Sequence, residues 1–252
     1  MIRLRRAAIL LICLPAFLGC QGQPALTQGL GAKVWVGRYQ EIEEHLRTAE
    51  CVSMYGTDPR KATRCTLPPG GPFPRMAWRP LPPGMYRGFW ESYKADIAAY
   101  EIDKLLKMDM VPPSVERQLQ GIPGAAQLWV ENILGLKEGE SPDDSHRVHW
   151  EDQFVRMAMF DNLIGNRDRT RGNIIRDAEW NAILLDHSRA FGTGSELPIK
   201  MTRIDGAFWT KIESLTRPQL DAALRALIGD PEIQAILDRR ERMRTEVKSL
   251  PR

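Results

Sequence analysis

An aspartate, an asparagine five residues later, and a second aspartate after a hairpin's length of chain constrain this sequence more than any other feature. They are Asp168, Asn173 and Asp186, in GNRDRTRGNII from Gly165 and AILLDHSRAF from Ala182. That order supplies the groups that phosphoryl transfer needs. One carboxylate orients an attacking hydroxyl, while an amide oxygen and a second carboxylate hold magnesium on nucleotide phosphates. Polar loops are rich in Asp, Asn and Arg for turn chemistry alone. D-x-x-x-x-N by itself therefore says little, and the weight comes from LLDHSRAFG placed after the hairpin.

The flanking chain suits that placement. In WEDQFVRMAMFDNLI, Trp150, Phe154, Met157 and Ala158 recur at helical spacing. Gly165 is a natural stop, since glycine takes the left-handed conformation that commonly ends helices. Residues 166–172 are polar and basic, hence a loop. Residues 173–176 and 182–185 read as two short strands around a DAEWN turn. The cluster from Arg167 to Arg171 is either a solvated loop or an attraction for phosphate.

The N-terminus begins with a basic segment, then AAILLICLPAFLG, then Cys20. The apolar core is too short to cross a bilayer and reads as an export signal. Residues 1–19 are expected to be a lipoprotein signal, with Cys20 lipidated as a membrane anchor. Phe17 departs from the usual aliphatic residue, and ordinary cleavage nearby is the alternative. Residues 20–38 read as a tether. Four cysteines are present, of which Cys13 leaves with the signal. Cys51 and Cys65 remain as a disulfide pair for an oxidising compartment, worth about 3 kcal/mol in the chain-entropy model. Two free core thiols are the other reading. The net charge of +3 comes from interspersed acids and bases, which does not indicate nucleic-acid binding.

Further along, GRYQEIEEHLRTAE reads as a helix and CVSMYGTDPRKATRCTL as two strands around a turn. MAWRPL, with Arg79 before a proline, reads as another strand. A glycine-bearing turn ahead of a strand with a basic residue is a way to cover a nucleotide, so Gly56 and Thr57 are expected over one, although a single glycine makes no glycine-rich loop. YKADIAAYEIDKLLKM is the clearest helix, with Ala98, Ile102, Leu105 and Leu106 on its apolar face. Asp96 near its start either favours the helix dipole or pairs with the basic residue on the Arg79 strand. Residues 127–130 read as a strand and hinge, and GLKEGESPDDS as a linker. Thr216 and the pair Asp230-Pro231 open two C-terminal helices. Ile233, Leu237, Met243 and Val247 form a core stripe. His146 and His149 have the spacing of metal ligands but lack partners, so they read as surface or capping residues. No G-x-S-x-G surrounds a serine, which argues against a serine hydrolase.

FDNLIGNRDR followed by LLDHSRAFG resembles the secretory-pathway kinases of the Golgi casein kinase and four-jointed type. Their motif runs Asn-x-Asp-Arg-His and then Leu-Asp-x-Gly-x-Ala-Phe-Gly. YKADIAAYEIDKLLKMDMVPPSVER is similar to the same family's helix and Val-Pro-Pro exit. The wider group includes phosphoinositide lipid kinases and HipA-type kinases. The resemblance implies an α+β, protein-kinase-like bilobal fold: a small β-rich N-lobe over 39–132 and a mostly helical C-lobe over 133–252. It implies ATP with Mg or Mn, and an acceptor hydroxyl on a protein, sugar or lipid. Asp168 would be the catalytic base, Asn173 and Asp186 metal ligands, and Arg79 with Asp96 the phosphate-positioning pair. Thr170 stands where the family has His, Asp96 where it has Glu, and Arg79 where it has Lys. A planar fork and a compact ammonium meet phosphates differently, so an inactive, nucleotide- or partner-binding protein is the alternative.

Overall fold

The computed structural model describes residues 31–56 and 61–251. The signal, Cys20, most of the tether and Thr57 lie outside them. Among the described residues, no helix is long and apolar enough to cross a membrane.

Helix α1 (Tyr39–Thr48) leads into β1 (Ser53–Tyr55), β2 (Thr63–Thr66) and β3 (Arg75–Arg79). A hairpin follows, β4 (Gly84–Tyr86) and β5 (Phe89–Glu91), and then helix α2 (Tyr93–Leu106). Strands β6 (Ser114–Leu119) and β7 (Ile122–Leu128) complete a five-stranded antiparallel sheet of order β1-β2-β3-β7-β6. Helix α1 packs on β6 and β7. Its buried Ile42 and Leu46 join Met76 and Trp78 in a core that also takes Ile175 and Ile183.

The remainder is mostly helical. A short β8 (Leu134–Gly135) precedes α3 (Asp144–Ile164), and a single 3-10 turn (Arg171–Asn173) precedes the hairpin of β9 (Ile174–Arg176) and β10 (Ala182–Leu184). Helices α4 (Gly206–Ser214), α5 (Arg217–Leu224) and α6 (Asp230–Glu246) follow. A larger core joins Ala98, Ile102 and Leu106 of α2 to Phe160 and Leu163 of α3 and to Ile212, Leu220 and Ile236 of the last helices. Helix α2 thus belongs to both parts, packing on β6 and β7 as well as on α4 and α5.

The fold departs from the sequence expectations in several places. Residues 31–38 are not tether: Trp35 is fully buried, and the Ala32 amide donates to the Asp177 carboxylate at 3.0 Å. Leu105 is 37% exposed and sits off the apolar face of α2. The expected strand at 127–130 is the end of β7, and its partner β6 occupies what reads in sequence only as a helix exit. The hairpin β4–β5 is not anticipated at all. Both turns take positive φ at two consecutive residues, Gln120 with Gly121 and Arg87 with Gly88. That is the twist-matched hairpin turn, but Gln and Arg carry none of the usual signal for it. Helix α3 starts at Asp144, before the apolar periodicity begins, because its first turns face solvent; Asp143 caps it by accepting from the His146 amide. Gly229, not Asp230, is the N-cap of α6. Thr216 forms a capping box with Gln219.

Cys51 and Cys65 are joined by a disulfide, Cα–Cα 5.7 Å, beside the β1–β2 pairing. His146 bonds Asp143 and His149 bonds Asn181. Among the described residues no three His, Cys, Asp or Glu side chains form a metal-binding group.

The exit of α2 is fixed by Asp103, fully buried. Its carboxylate accepts from the amides of Asp109, Met110 and Val111 at 3.0–3.1 Å. The Met110 carbonyl then accepts from the Leu184 amide at 2.8 Å, so this reversal also anchors β10. Each buried amide left unpaired costs about 1–3 kcal/mol. Asp103→Ala is expected to destabilise by about 3 kcal/mol or more. Urea unfolding measures this, and a loss under about 1 kcal/mol would contradict the assignment.

Candidate active site

A cleft of about 330 Å³ lies between the five-stranded sheet and the β9–β10 hairpin. Its apolar walls include Ala77 of β3, Leu128 of β7, and Ile175 and Leu185 from the hairpin side. Arg79, Asp96, Asn173 and Asp186 line it as well. Ser114 lines it too, with a buried hydroxyl that has no partner among the described residues.

Arg79 is the last residue of β3, and Pro80 ends the strand. Its Nη1 donates to Asp96 Oδ2 at 3.2 Å and to Asp186 Oδ1 at 2.6 Å, and its Nη2 to Ser188 Oγ at 3.2 Å. Burial works against the guanidinium charge, but Asp96 and Asp186 outweigh it and hold the group protonated. Asp96 stands in the first turn of α2, behind the N-cap Ser92. It is buried, pairs with Arg79 and accepts the His187 amide at 2.7 Å. Burial lifts its carboxyl to about 6, against the pull of Arg79.

Asp186 follows β10 with φ 53, in the left-handed region that Asp tolerates better than most residues. That turn sends the chain sharply out of the strand. Burial pushes its carboxyl up, but Arg79 and Ser188 prevail and hold it below the usual range.

The loop before the hairpin is built on Arg169. Its Nε and Nη2 grip Asp161, in the last turn of α3, at 2.8 and 2.9 Å. Nη1 donates to the carbonyls of Asn173 and Leu185 at 3.1 and 2.9 Å, and Nη2 to His187 Nε2 at 2.7 Å. Burial and then the Arg169 charge hold the His187 pKa well down. The ring is therefore neutral, accepting at Nε2 and carrying its proton on Nδ1. Asn173 donates its Nδ2 to the Asp168 carbonyl at 3.0 Å, which fixes the amide and leaves its oxygen without a hydrogen bond among the described residues.

Neither reading of the basic cluster, solvated loop or phosphate attraction, describes Arg169, whose side chain is buried and spent on Asp161. Arg167 pairs with Glu196, and Arg171 bonds the Lys137 carbonyl.

Asp168 lies at the edge of a neighbouring cleft of about 450 Å³, with Trp90 and Arg189. Arg189 reaches Asp168 at 3.1 Å while also holding Glu91, and its guanidinium lies over the Phe89 ring at 4.4 Å. Asp168 and Asp186 thus face different clefts, joined through the Asn173–Asp168 bond. Gly56 does not line the cleft; Lys61 and Ala62 stand on that side. Sequence reasoning assigns no role to Ser188 or Arg189, reads Arg169 only as part of the basic cluster, and meets Asp161 only inside the FDNLIGNRDR stretch. Asp161 stands seven residues before Asp168, and no charge pattern in the sequence ties it to Arg169.

The chain is similar in structure to the Golgi casein kinase, with a TM-score of 0.61 at 15% identity over 83% of this chain and 74% of that one. The Golgi casein kinase with Mn/ADP bound gives 0.57 at 14% identity, with the same coverages. Hydra Fam20 with sugar gives 0.60 at 15% identity over 83% of this chain and 88% of that one. At such identities the likeness is one of fold. The fold is kinase-like and α+β, as the motif resemblance implied. No protein-family model and no curated protein sequence matches the chain.

Asp96 generates a pH expectation. Its pKa is raised from 3.8 to about 6 in the fold, so between those values the folded state binds more protons than the unfolded one. Stability falls wherever the folded state holds the extra proton and pH rises. The contribution is thus full below pH 3.8 and is lost as pH climbs through 6. Relative to Asp96→Asn, the parent is expected to lose thermal stability across that window. Parallel melting curves for the two proteins would contradict the assignment.

Proposed function

We propose that this chain is an exported, lipid-anchored phosphotransferase that uses ATP and a divalent metal, with Asp168 orienting the acceptor hydroxyl. The observation that carries the reading is the convergence of Arg79, Asp96, Asn173 and Asp186 on one cleft, with Asp168 on the next. The apolar walls suit a nucleobase, and the Ser114 hydroxyl, without a partner among the described residues, suits a polar edge of it. Export and anchoring rest on the signal pattern ending at Cys20. The division into lobes at 132/133 belongs to the same reading.

The donor set fits a hard cation. All the hydrogen bonds to the Asp186 carboxylate among the described residues go to Oδ1. Its Oδ2 and the Asn173 amide oxygen are oxygen donors of the kind that magnesium and manganese take, completed by phosphates and water. The metal supplies charge neutralisation on the phosphates. The chain's own residues do the rest. Arg79, held by Asp96, presents positive charge at the phosphate end of the cleft. Arg189, held by Glu91 and Phe89, orients the Asp168 carboxylate.

A second reading has one observation in its favour: Arg79 bonds the proposed metal carboxylate itself. On that reading the chain binds nucleotide, or a partner, without turnover.

The two carboxylates are expected to fail differently. Asp186→Ala should weaken magnesium-dependent nucleotide binding tenfold or more, about 1.4 kcal/mol, and abolish autophosphorylation. Asp168→Ala should leave binding within about twofold, since that carboxylate touches the acceptor and not the nucleotide, and remove transfer alone. Calorimetric titration of ATP with and without magnesium, paired with a radiolabel transfer assay, measures both. Binding without transfer by the parent selects the second reading, and equal binding by parent and Asp186→Ala contradicts the metal site.

A further inference from the structure

Ser188 is nearly fully buried between Arg79 and Asp186. Its hydroxyl donates to Asp186 Oδ1 at 2.8 Å and accepts from Arg79 Nη2 at 3.2 Å. The residue is clamped from behind, because its carbonyl accepts the Ser92 amide, the N-cap of α2, at 3.0 Å. Arg79 is held as well: Nη1 is shared between Asp96 and Asp186, while its buried Nε has no partner among the described residues.

An arginine beside a carboxylate has an alternative to this arrangement. Its two Nη groups, or Nη and Nε, match the two oxygens of a carboxylate in a bidentate fork, the strongest and most specific form of that pair. At Arg79 such a fork would capture both oxygens of Asp186. A lysine could not do this, since its ammonium is a point charge. The hydrogen bonds observed avoid the fork. Nη2 is taken up by the Ser188 hydroxyl, and the hydroxyl's own proton goes to the oxygen that Nη1 already holds. Arg79 and Ser188 both act on Oδ1, and neither touches Oδ2.

We infer that Ser188 is a positioning residue that keeps Arg79 from closing a bidentate pair on Asp186, so that Oδ2 remains a metal ligand. Arg79 and Ser188 are then one functional unit: the hydroxyl is needed because the cation is an arginine. This rests on the phosphotransferase reading and deepens it.

The test is a rescue. Ser188 does not have positive φ, so alanine is compatible with its backbone. Ser188→Ala is expected to weaken Mn²⁺ binding in the presence of ADP tenfold or more, read as free Mn²⁺ by electron paramagnetic resonance. Ser188→Gly should do the same, which covers misfolding of either variant. Arg79→Lys removes the fork, so adding Ser188→Ala to it should change Mn²⁺ affinity by less than threefold. A structural role for Ser188 would instead weaken binding equally in the parent and in the Arg79→Lys background, and that overturns the inference. Equal Mn²⁺ binding by parent and Ser188→Ala also overturns it while leaving the phosphotransferase reading intact. Failure of the parent to bind Mn²⁺ with ADP overturns both.

Discussion

The site depends first on the buried pair of Arg169 and Asp161. Two charges taken out of water cost several kcal/mol each unless geometry and hydrogen bonding repay them. Here they are repaid closely. Arg169 grips Asp161 with two arms and uses the rest on the Asn173 and Leu185 carbonyls and on His187. Asp161 also accepts from Asn166 at 2.9 Å. One side chain therefore ties the end of α3, the loop carrying Asp168, the turn carrying Asn173 and the approach to Asp186. Its charge also helps keep His187 neutral, which leaves Nε2 free to accept.

From that hub the remaining charges fall into two groups. On one side Arg79, Asp96, Asp186 and Ser188 form a continuous chain of contacts between the sheet, α2 and the hairpin. On the other, Glu91, Arg189 and Asp168 connect the β4–β5 hairpin to the loop. Both groups span from the sheet part to the helical part.

Much of this is legible in the sequence where a residue type is tied to a backbone need. Gly165 ends α3 at φ 67, Thr216 caps α5, and the order Asp168, Asn173, Asp186 marks the loop and hairpin. The pairing of Arg79 with Asp96 is one of two sequence readings for Asp96, and the structure contains it. What stays hidden has physical reasons. Turns at Gln120 and Arg87 use residues that seldom take positive φ, so two hairpins leave no sequence signal. Early turns of α3 face solvent and leave no apolar trace. Arg169 looks like a free cation because its partner, Asp161, sits within an apolar helix end, where no charge pattern reveals it. Ser188 carries no signal, since its importance comes from which arm of Arg79 it meets.

The central claim is that Asn173 and Asp186 form a divalent-metal site at the phosphate end of the Arg79–Asp96 cleft. A crystal structure of the mature domain grown with Mn²⁺ and ADP, with anomalous data at the manganese edge, tests this most directly. The account predicts an anomalous peak within ligand distance of Asp186 Oδ2 and the Asn173 amide oxygen, bridged to the diphosphate, with Arg79 still on Oδ1. A nucleotide bound elsewhere, or Arg79 forked across both Asp186 oxygens with no metal peak between the two residues, would contradict it.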